Sequence, residues 1–385
     1  MPRTQGGFGC GRVALLLWCL VGCAGNAAPG ADHAWDLPPG FPTPWVPADN
    51  PMNTHKVELG RRLFYDKRLS VTGTMSCASC HQQERAFTDG LATPKGALGH
   101  AVARNSMTLT NVAYAYPLTW QNPVLETLEE QALVPLFADA PVELGIADVV
   151  DRLLVSFQGD GIYGPLFRRA FAGVDEPFTP NAIVSALAAF ERTLISGRSP
   201  YDRFQYDGDE QAFSASAKAG LRMFLSERLE CYHCHTGLTF TSGFRSAAIK
   251  TLSKDYQNDG LYNLPPDGAY PSPNVGLSGM SGQVADNGKF RVPTLRNIAV
   301  TAPYMHDGSV ATLDEVIDQY AAGGRNVVDG PSIGDGRTNP HKSPLVHGFS
   351  LTPDEKTALR DFLESLTDLA FLTDPRFSDP WLATP

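Results

Sequence analysis

Two short stretches constrain this chain more than its composition does: Cys77-Ala78-Ser79-Cys80-His81 and Cys231-Tyr232-His233-Cys234-His235. Each sets two cysteines about one helical turn apart and follows the second at once with histidine. That spacing lets both thiols add to the vinyl groups of one porphyrin while the imidazole reaches its iron, the pattern of c-type haem attachment. A tetrahedral zinc site would need four ligands gathered across both motifs and gives no reason for the contiguous histidines. A thioredoxin-like dithiol would want a βαβ setting, which is missing. Two covalent haems are therefore expected, with His81 and His235 as proximal iron ligands. His233, between the cysteines, reads as a surface filler.

The other cysteines support this. The chain has seven; Cys10 and Cys19 fall in an N-terminal leader, and the two motifs take four. Arg3 and Arg12 give that leader its positive region, and Val13 to Gly22 form an apolar run too short to span a bilayer comfortably. It ends in Leu20-Val21-Gly22-Cys23, which looks like a bacterial lipobox with Cys23 as the acylated residue; the alternative is an ordinary cleaved signal. The expected product is a periplasmic protein of a Gram-negative bacterium, held to the membrane by lipid alone, since no later segment approaches a transmembrane run. A formal charge of −10 argues against nucleic acid or an anionic membrane face as the main partner. A docked protein or a small neutral substrate remains open.

The chain also repeats itself. Gly60-x-Arg62-x-Phe64-x-x-x-Arg68-Leu69 precedes the first motif, and Gly220-x-Arg222-x-Phe224-x-x-x-Arg228-Leu229 precedes the second. Phe87-Thr88-Asp89-Gly90 and Phe240-Thr241-Ser242-Gly243 follow them. A matched helix, motif and turn occurring twice reads as duplication of one haem-sized module. Apolar residues at helical spacing mark a helix over Ala182 to Ile195, and a serine cap opens another over Ser214 to Leu225. Thr312-Leu313-Asp314-Glu315 is a capping box, and Thr352-Pro353-Asp354-Glu355 opens a helix with Leu359, Phe362, Leu363 and Leu366 inward. Pro/Gly-rich stretches lie at 255–290 and 323–348, and alternating strands are absent. The expected fold is all-α: a leader (1–23), a linker (24–50), haem domains at 51–199 and 200–370 joined near Gly197–Tyr206, and a tail (371–385).

With these residues in hand, the chain resembles the bacterial di-haem cytochrome c peroxidase superfamily, which includes MauG, over roughly residues 50–370. The marks are the paired motifs, Arg104-Asn105-Ser106, the run Trp120 to Gly145, and RVPTLRNIAVTAPYMHDGSVATLDEVI from Arg291. The resemblance implies two mainly helical cytochrome domains with a calcium ion between the haems, held by Asn105 and the carbonyls of Thr301 and Pro303; oxygen donors suit a hard cation. It implies that hydrogen peroxide reacts at the His81 haem, with Glu143 as the distal acid and Gln131 as its amide neighbour. Trp120 matches the indole that relays oxidising equivalents between the haems. His100 matches a histidine that caps the peroxidatic iron in some peroxidases, and is here a ligand or a bystander.

One departure separates the classes within that superfamily. Its peroxidases carry a methionine in the helix after the HDG segment, where this chain has Tyr320, as MauG does. Leu313, Val316 and Tyr320 share a helix face, so a buried core aromatic is the bland alternative, and Met305 is a rival ligand. Methionine raises a haem potential and suits electron entry from a small donor protein. A tyrosinate does the reverse and supports a high-valent state. The resemblance thus implies an enzyme that oxidises a partner protein at long range. SERLECYHCHTGLTF, DGLYNL and EVIDQYAAGGRN look like MbnH-like enzymes, which oxidise a partner's tryptophan. The alternatives are a cytochrome c peroxidase fed by a small cytochrome or cupredoxin, and a di-haem electron carrier without chemistry of its own.

Overall fold

The computed structural model describes residues 33–249 and 252–382. The leader with Cys23, and the start of the expected linker, lie outside them. The helices of the first part are α1 (Thr54–Tyr65), α2 (Leu128–Phe137), α3 (Val150–Gly159), α4 (Tyr163–Ala170) and α5 (Pro180–Glu191). The second part carries α6 (Pro200–Asp207), α7 (Ala215–Phe224), α8 (Cys231–Cys234), α9 (Ser278–Ser281), α10 (Leu313–Ala322), α11 (Pro353–Glu364) and α12 (Leu369–Thr373). Described strands are two-residue pieces: β1 (Tyr256–Gln257) pairs with β2 (Phe290–Arg291), and β3 (Asn326–Val327) with β4 (Gly334–Asp335). The fold is mainly helical, as expected. No described helix is long and apolar enough to cross a membrane.

The expected start and stop signals operate. Ser214 caps Ala217 N, and Thr312 and Thr352 close capping boxes with Glu315 and Glu355. Helix α10 ends where Gly323 takes φ +77°, a left-handed turn that glycine adopts without a Cβ clash. Helix α5 ends at Glu191, four residues short of the expected Ile195, because residues 192–199 turn into a polar junction.

In each half the helix before the motif crosses a later helix at a glycine. A Cβ on Gly60 would sit 1.9 Å from the Ala186 carbonyl oxygen of α5, and one on Gly220 would sit 2.0 Å from the Ala358 oxygen of α11. Only glycine permits so close an approach. One turn on, Phe64 packs against Phe190 at 5.3 Å between centroids and Phe224 against Phe362 at 5.0 Å. Each pair sits in its own apolar cluster, the first with Phe157 and Phe167, the second with Leu261 and Ile317.

Between the halves runs a buried polar junction. Asn111 brackets Ser196 through both its backbone N–H and carbonyl, and Asn297 donates to the Ser196 hydroxyl at 3.0 Å. Asp368 accepts from the Ser196 hydroxyl and the Gly197 and Arg198 amides. The stretch expected as a tail folds back over its described residues: Phe371 and Phe377 are buried in the first cluster, and Tyr65 donates to the Phe377 carbonyl. The linker is likewise anchored, with Phe41 against Tyr114 and the Tyr114 hydroxyl on the Pro42 carbonyl. Aromatic burial fixes both segments, which sequence length alone does not reveal.

Candidate functional site

Both histidines that follow the cysteine pairs are held alike. His81 Nδ1 lies 2.8 Å from the Phe87 carbonyl and His235 Nδ1 lies 3.2 Å from the Phe240 carbonyl. A carbonyl only accepts, so Nδ1 carries the proton and Nε2 keeps its lone pair, the tautomer that ligates metal. Phe87 and Phe240 achieve this at φ +63° and +50°, a left-handed conformation costly for a bulky residue. Such strain persists where the surroundings over-determine it, as at functional sites. A second backbone partner lies beside each ring, at Met107 and at Pro293. Burial lowers both imidazoles, His235 to about 4, so both stay neutral.

All four motif cysteines are free. Burial pushes the thiols up, Cys80 and Cys231 to about 12 and Cys234 to about 11, and Cys77 higher still. Burial thus favours the neutral thiol at each of the four positions. Cys231, Cys234 and His235 line a cavity walled by Phe224, Leu229, Leu295, Leu313, Leu359 and Leu363. These walls suit an apolar macrocycle, and the donors present fit a covalently attached haem.

Tyr320 lines the same cavity, together with Leu313 and Val316 from its helix face. Burial holds its phenol well above the ordinary range, and the nearby Asp259 carboxyl and motif thiols push the same way. Met305, the rival, lines the cavity at φ +73°. Trp120 lines it too, its indole N–H donating to the Asn105 carbonyl at 3.0 Å. Residues 105–108 therefore run from Trp120 to Met107 beside His81, one stretch of backbone touching both histidine sites. Asn105, Thr301 and Pro303 are brought to this cavity as well. Asn105 spends its Nδ2 on the Leu91 carbonyl, and among the described residues neither the Thr301 nor the Pro303 carbonyl accepts a backbone hydrogen bond.

Glu143 sits near the first motif, where its charge is felt by both Cys77 and Cys80. Its loop is clamped: Leu144 N bonds the Pro135 carbonyl of α2 at 2.9 Å, and Ala97 N bonds the Glu143 carbonyl at 2.6 Å. Burial raises the Glu143 carboxyl, and the Arg104 guanidinium opposes that rise. Gln131 lies one turn before Pro135 on α2. His100 is exposed on the neighbouring hairpin. His233 has close neighbours despite its surface position: Nε2 is 2.7 Å from Glu230 Oε2, and the Tyr232 ring leans on it at 4.1 Å.

Two features escaped the reading of motifs. Glu191, at the end of α5, is buried near Cys77, and burial raises its carboxyl to about 8. Nothing in its local sequence distinguishes it from an ordinary helix end. The second feature was legible: Thr108-Leu109-Thr110-Asn111-Val112-Ala113 matches Thr294-Leu295-Arg296-Asn297-Ile298-Ala299. Asn111 and Asn297 take φ +59° and +61°, each opens a 3₁₀ turn, and the residues just before the two repeats are Met107 and Pro293.

Comparison with known proteins agrees with this architecture. The di-haem cytochrome c peroxidase family profile matches residues 54–211. The chain is 35% identical to cytochrome-c peroxidase IdrP1 of Denitromonas iodatirespirans, over 96% of this chain and 94% of that protein. It is 33% identical to the methylamine utilization protein MauG of Methylorubrum extorquens, over 83% of this chain and 80% of that one. Among solved structures, a MauG-like protein associated with microbial copper homeostasis superposes with a TM-score of 0.89 at 46% identity, over 91% of this chain and 100% of that chain.

Proposed function

The chain belongs to the di-haem cytochrome c peroxidase family, whose members are haem-dependent oxidoreductases, and on that premise we propose that it uses hydrogen peroxide to oxidise a partner protein at long range. The carrying observation is Tyr320 on the wall of the cavity that also holds Cys231, Cys234 and His235. When bound, the two haems supply the redox chemistry, taking two oxidising equivalents from one peroxide and holding them until a donor returns the electrons. Cys77, Cys80 and His81 would hold the first haem; Cys231, Cys234, His235 and Tyr320 would hold the second. A phenolate oxygen favours oxidised iron where a thioether favours reduced iron.

The protein's own groups then divide the remaining work. Glu143 takes up the proton that peroxide loses and returns it to the departing oxygen, while the Gln131 amide orients that oxygen. Trp120, pinned by the Asn105 carbonyl, stands where electrons pass between the two sites. Asn105 Oδ1 and the Thr301 and Pro303 carbonyls form a calcium site in this reading, with all-oxygen donors. The matched glycine crossings and Phe-carbonyl contacts support two copies of one module, 51–199 and 200–370. The leader and Cys23 support export to the periplasm with a lipid anchor.

The donor is a docked protein in this reading. The copper-homeostasis protein at 46% identity makes an exported copper-handling protein, oxidised at a tryptophan, the first partner to test. The 35% identity to a cytochrome-c peroxidase supports a second reading, peroxide removal with electrons from a small cytochrome or cupredoxin. Incubating the holoprotein and peroxide with co-exported proteins separates the two. Oxygen added to one of them, seen by mass spectrometry, supports the first. Steady turnover of a reduced small cytochrome with no such product supports the second.

A further inference from the structure

Among the described residues, three arginines are nearly fully buried: Arg192 at 2% exposure, Arg296 at 1% and Arg291 at 6%. Two have carboxylates. Arg192 donates to Glu129 at 2.7 Å, and Arg296 grips Asp202 at 2.6 and 2.7 Å. Arg291 has no carboxylate within ion-pair distance among the described residues. Its Nη1 donates to the Leu118 carbonyl at 3.0 Å, its backbone N–H to the Trp120 carbonyl at 2.8 Å, and its Nε is buried with no partner.

Leaving a guanidinium dry and unpaired is costly, so its position implies an anion that the polypeptide does not supply. The surroundings narrow the anion. Arg291 lines the cavity of Cys231, Cys234 and His235, whose other walls are mostly apolar. His306 lines it as well, stacked on Phe290 at 3.7 Å, with Nε2 buried and unpartnered. Tyr256, directly opposite Arg291 in the β1–β2 register, also buries an unpartnered hydroxyl. Two acids line this cavity: Asp259 is committed to the Leu261 amide at 3.1 Å and the Tyr270 hydroxyl at 3.3 Å, and Glu230 faces the His233 ring at 2.7 Å; neither reaches Arg291. An unmatched guanidinium beside the His306 ring in an apolar cavity fits a flat apolar ligand with a carboxylate on its rim. A haem, with its two propionates, is such a ligand, and the planar guanidinium fork matches a carboxylate.

We propose that Arg291 is the counter-ion of a propionate of the haem on Cys231, Cys234 and His235, and that it ties this propionate to the Trp120 loop. The inference rests on the two-haem reading above. Arg291 is a positioning residue: one side chain neutralises the haem edge while its Nη1 and backbone N–H hold residues 118–120. A fixed positive charge beside a haem stabilises its electron-rich, reduced form.

The test uses holoprotein carrying Arg291→Gln and Arg291→Lys, with haem content from pyridine haemochrome spectra and both midpoint potentials from spectroelectrochemistry. The expected result is two haems in every protein, one potential shifted down in Arg291→Gln with the other unchanged, and near-native potentials in Arg291→Lys. Unchanged potentials in Arg291→Gln, even with lowered thermal stability, would overturn the proposal and leave Arg291 a purely structural residue. Should Arg291→Gln fail to load haem, resonance Raman spectra decide: the propionate bending bands are expected to differ between native protein and Arg291→Lys, and identical bands would overturn it. A native protein lacking two covalent haems would overturn the premise, a distinct outcome.

Discussion

Glu143 shows how one residue's chemistry depends on its neighbours. Burial raises its carboxyl above the ordinary value of 4.5, and Arg104 limits that rise. As the base form grows with pH through this elevated range, the rate of reaction with peroxide should climb with it. Glu143→Gln should slow that reaction by about 10²–10⁴-fold and flatten the profile, measured by stopped flow. Arg104→Gln should move the profile to higher pH. The identities of Glu143, Gln131 and Trp120 came from resemblance, because isolated polar or aromatic residues carry no signature of their setting. The two cysteine–histidine motifs were readable directly as candidates for haem attachment, since two thiols and an imidazole must be contiguous to reach one porphyrin. Arg291 and Glu191 were not: what distinguishes each is burial, set by residues far away in sequence.

Single elements are specified by the glycine crossings and caps. Gly220→Ala would drive a Cβ to 2.0 Å from a backbone oxygen, so α7 and α11 must part. A loss of about 1–3 kcal/mol is expected, read as a lower thermal midpoint with both haems retained. Asp202 on α6 grips Arg296, which also donates to the Leu238 carbonyl just beyond the second motif. Asp202→Ala would strand a buried guanidinium and should cost about 3–5 kcal/mol, checked by chemical denaturation. The helices themselves were largely readable from Ser214, Thr312 and Thr352, because capping is local. The matched asparagine turns were readable too. They were obscured because the Pro/Gly-rich stretch 255–290 separates the second copy from its motif.

At the level of the whole molecule, residues 105–108 and the Asn111, Ser196, Asn297 and Asp368 junction make the two halves one device. If calcium binds Asn105, Thr301 and Pro303, it braces the same segment that pins Trp120. Treatment with EGTA should then lower the thermal midpoint and slow the peroxide-induced change at the second haem, and added calcium should restore both. The return of residues 371–381 to the first half was not legible, since Phe371 and Phe377 become informative only once their partners are placed. In the proposed function, Tyr320 lets the second haem hold oxidising power. Visible and electron paramagnetic resonance spectra of the fully oxidised holoprotein, before and after one equivalent of peroxide, test it against Tyr320→Phe. A change at both haems is expected that persists without added donor in the native protein and is lost in the variant. No change in the native protein, or an equally persistent one in Tyr320→Phe, would contradict it.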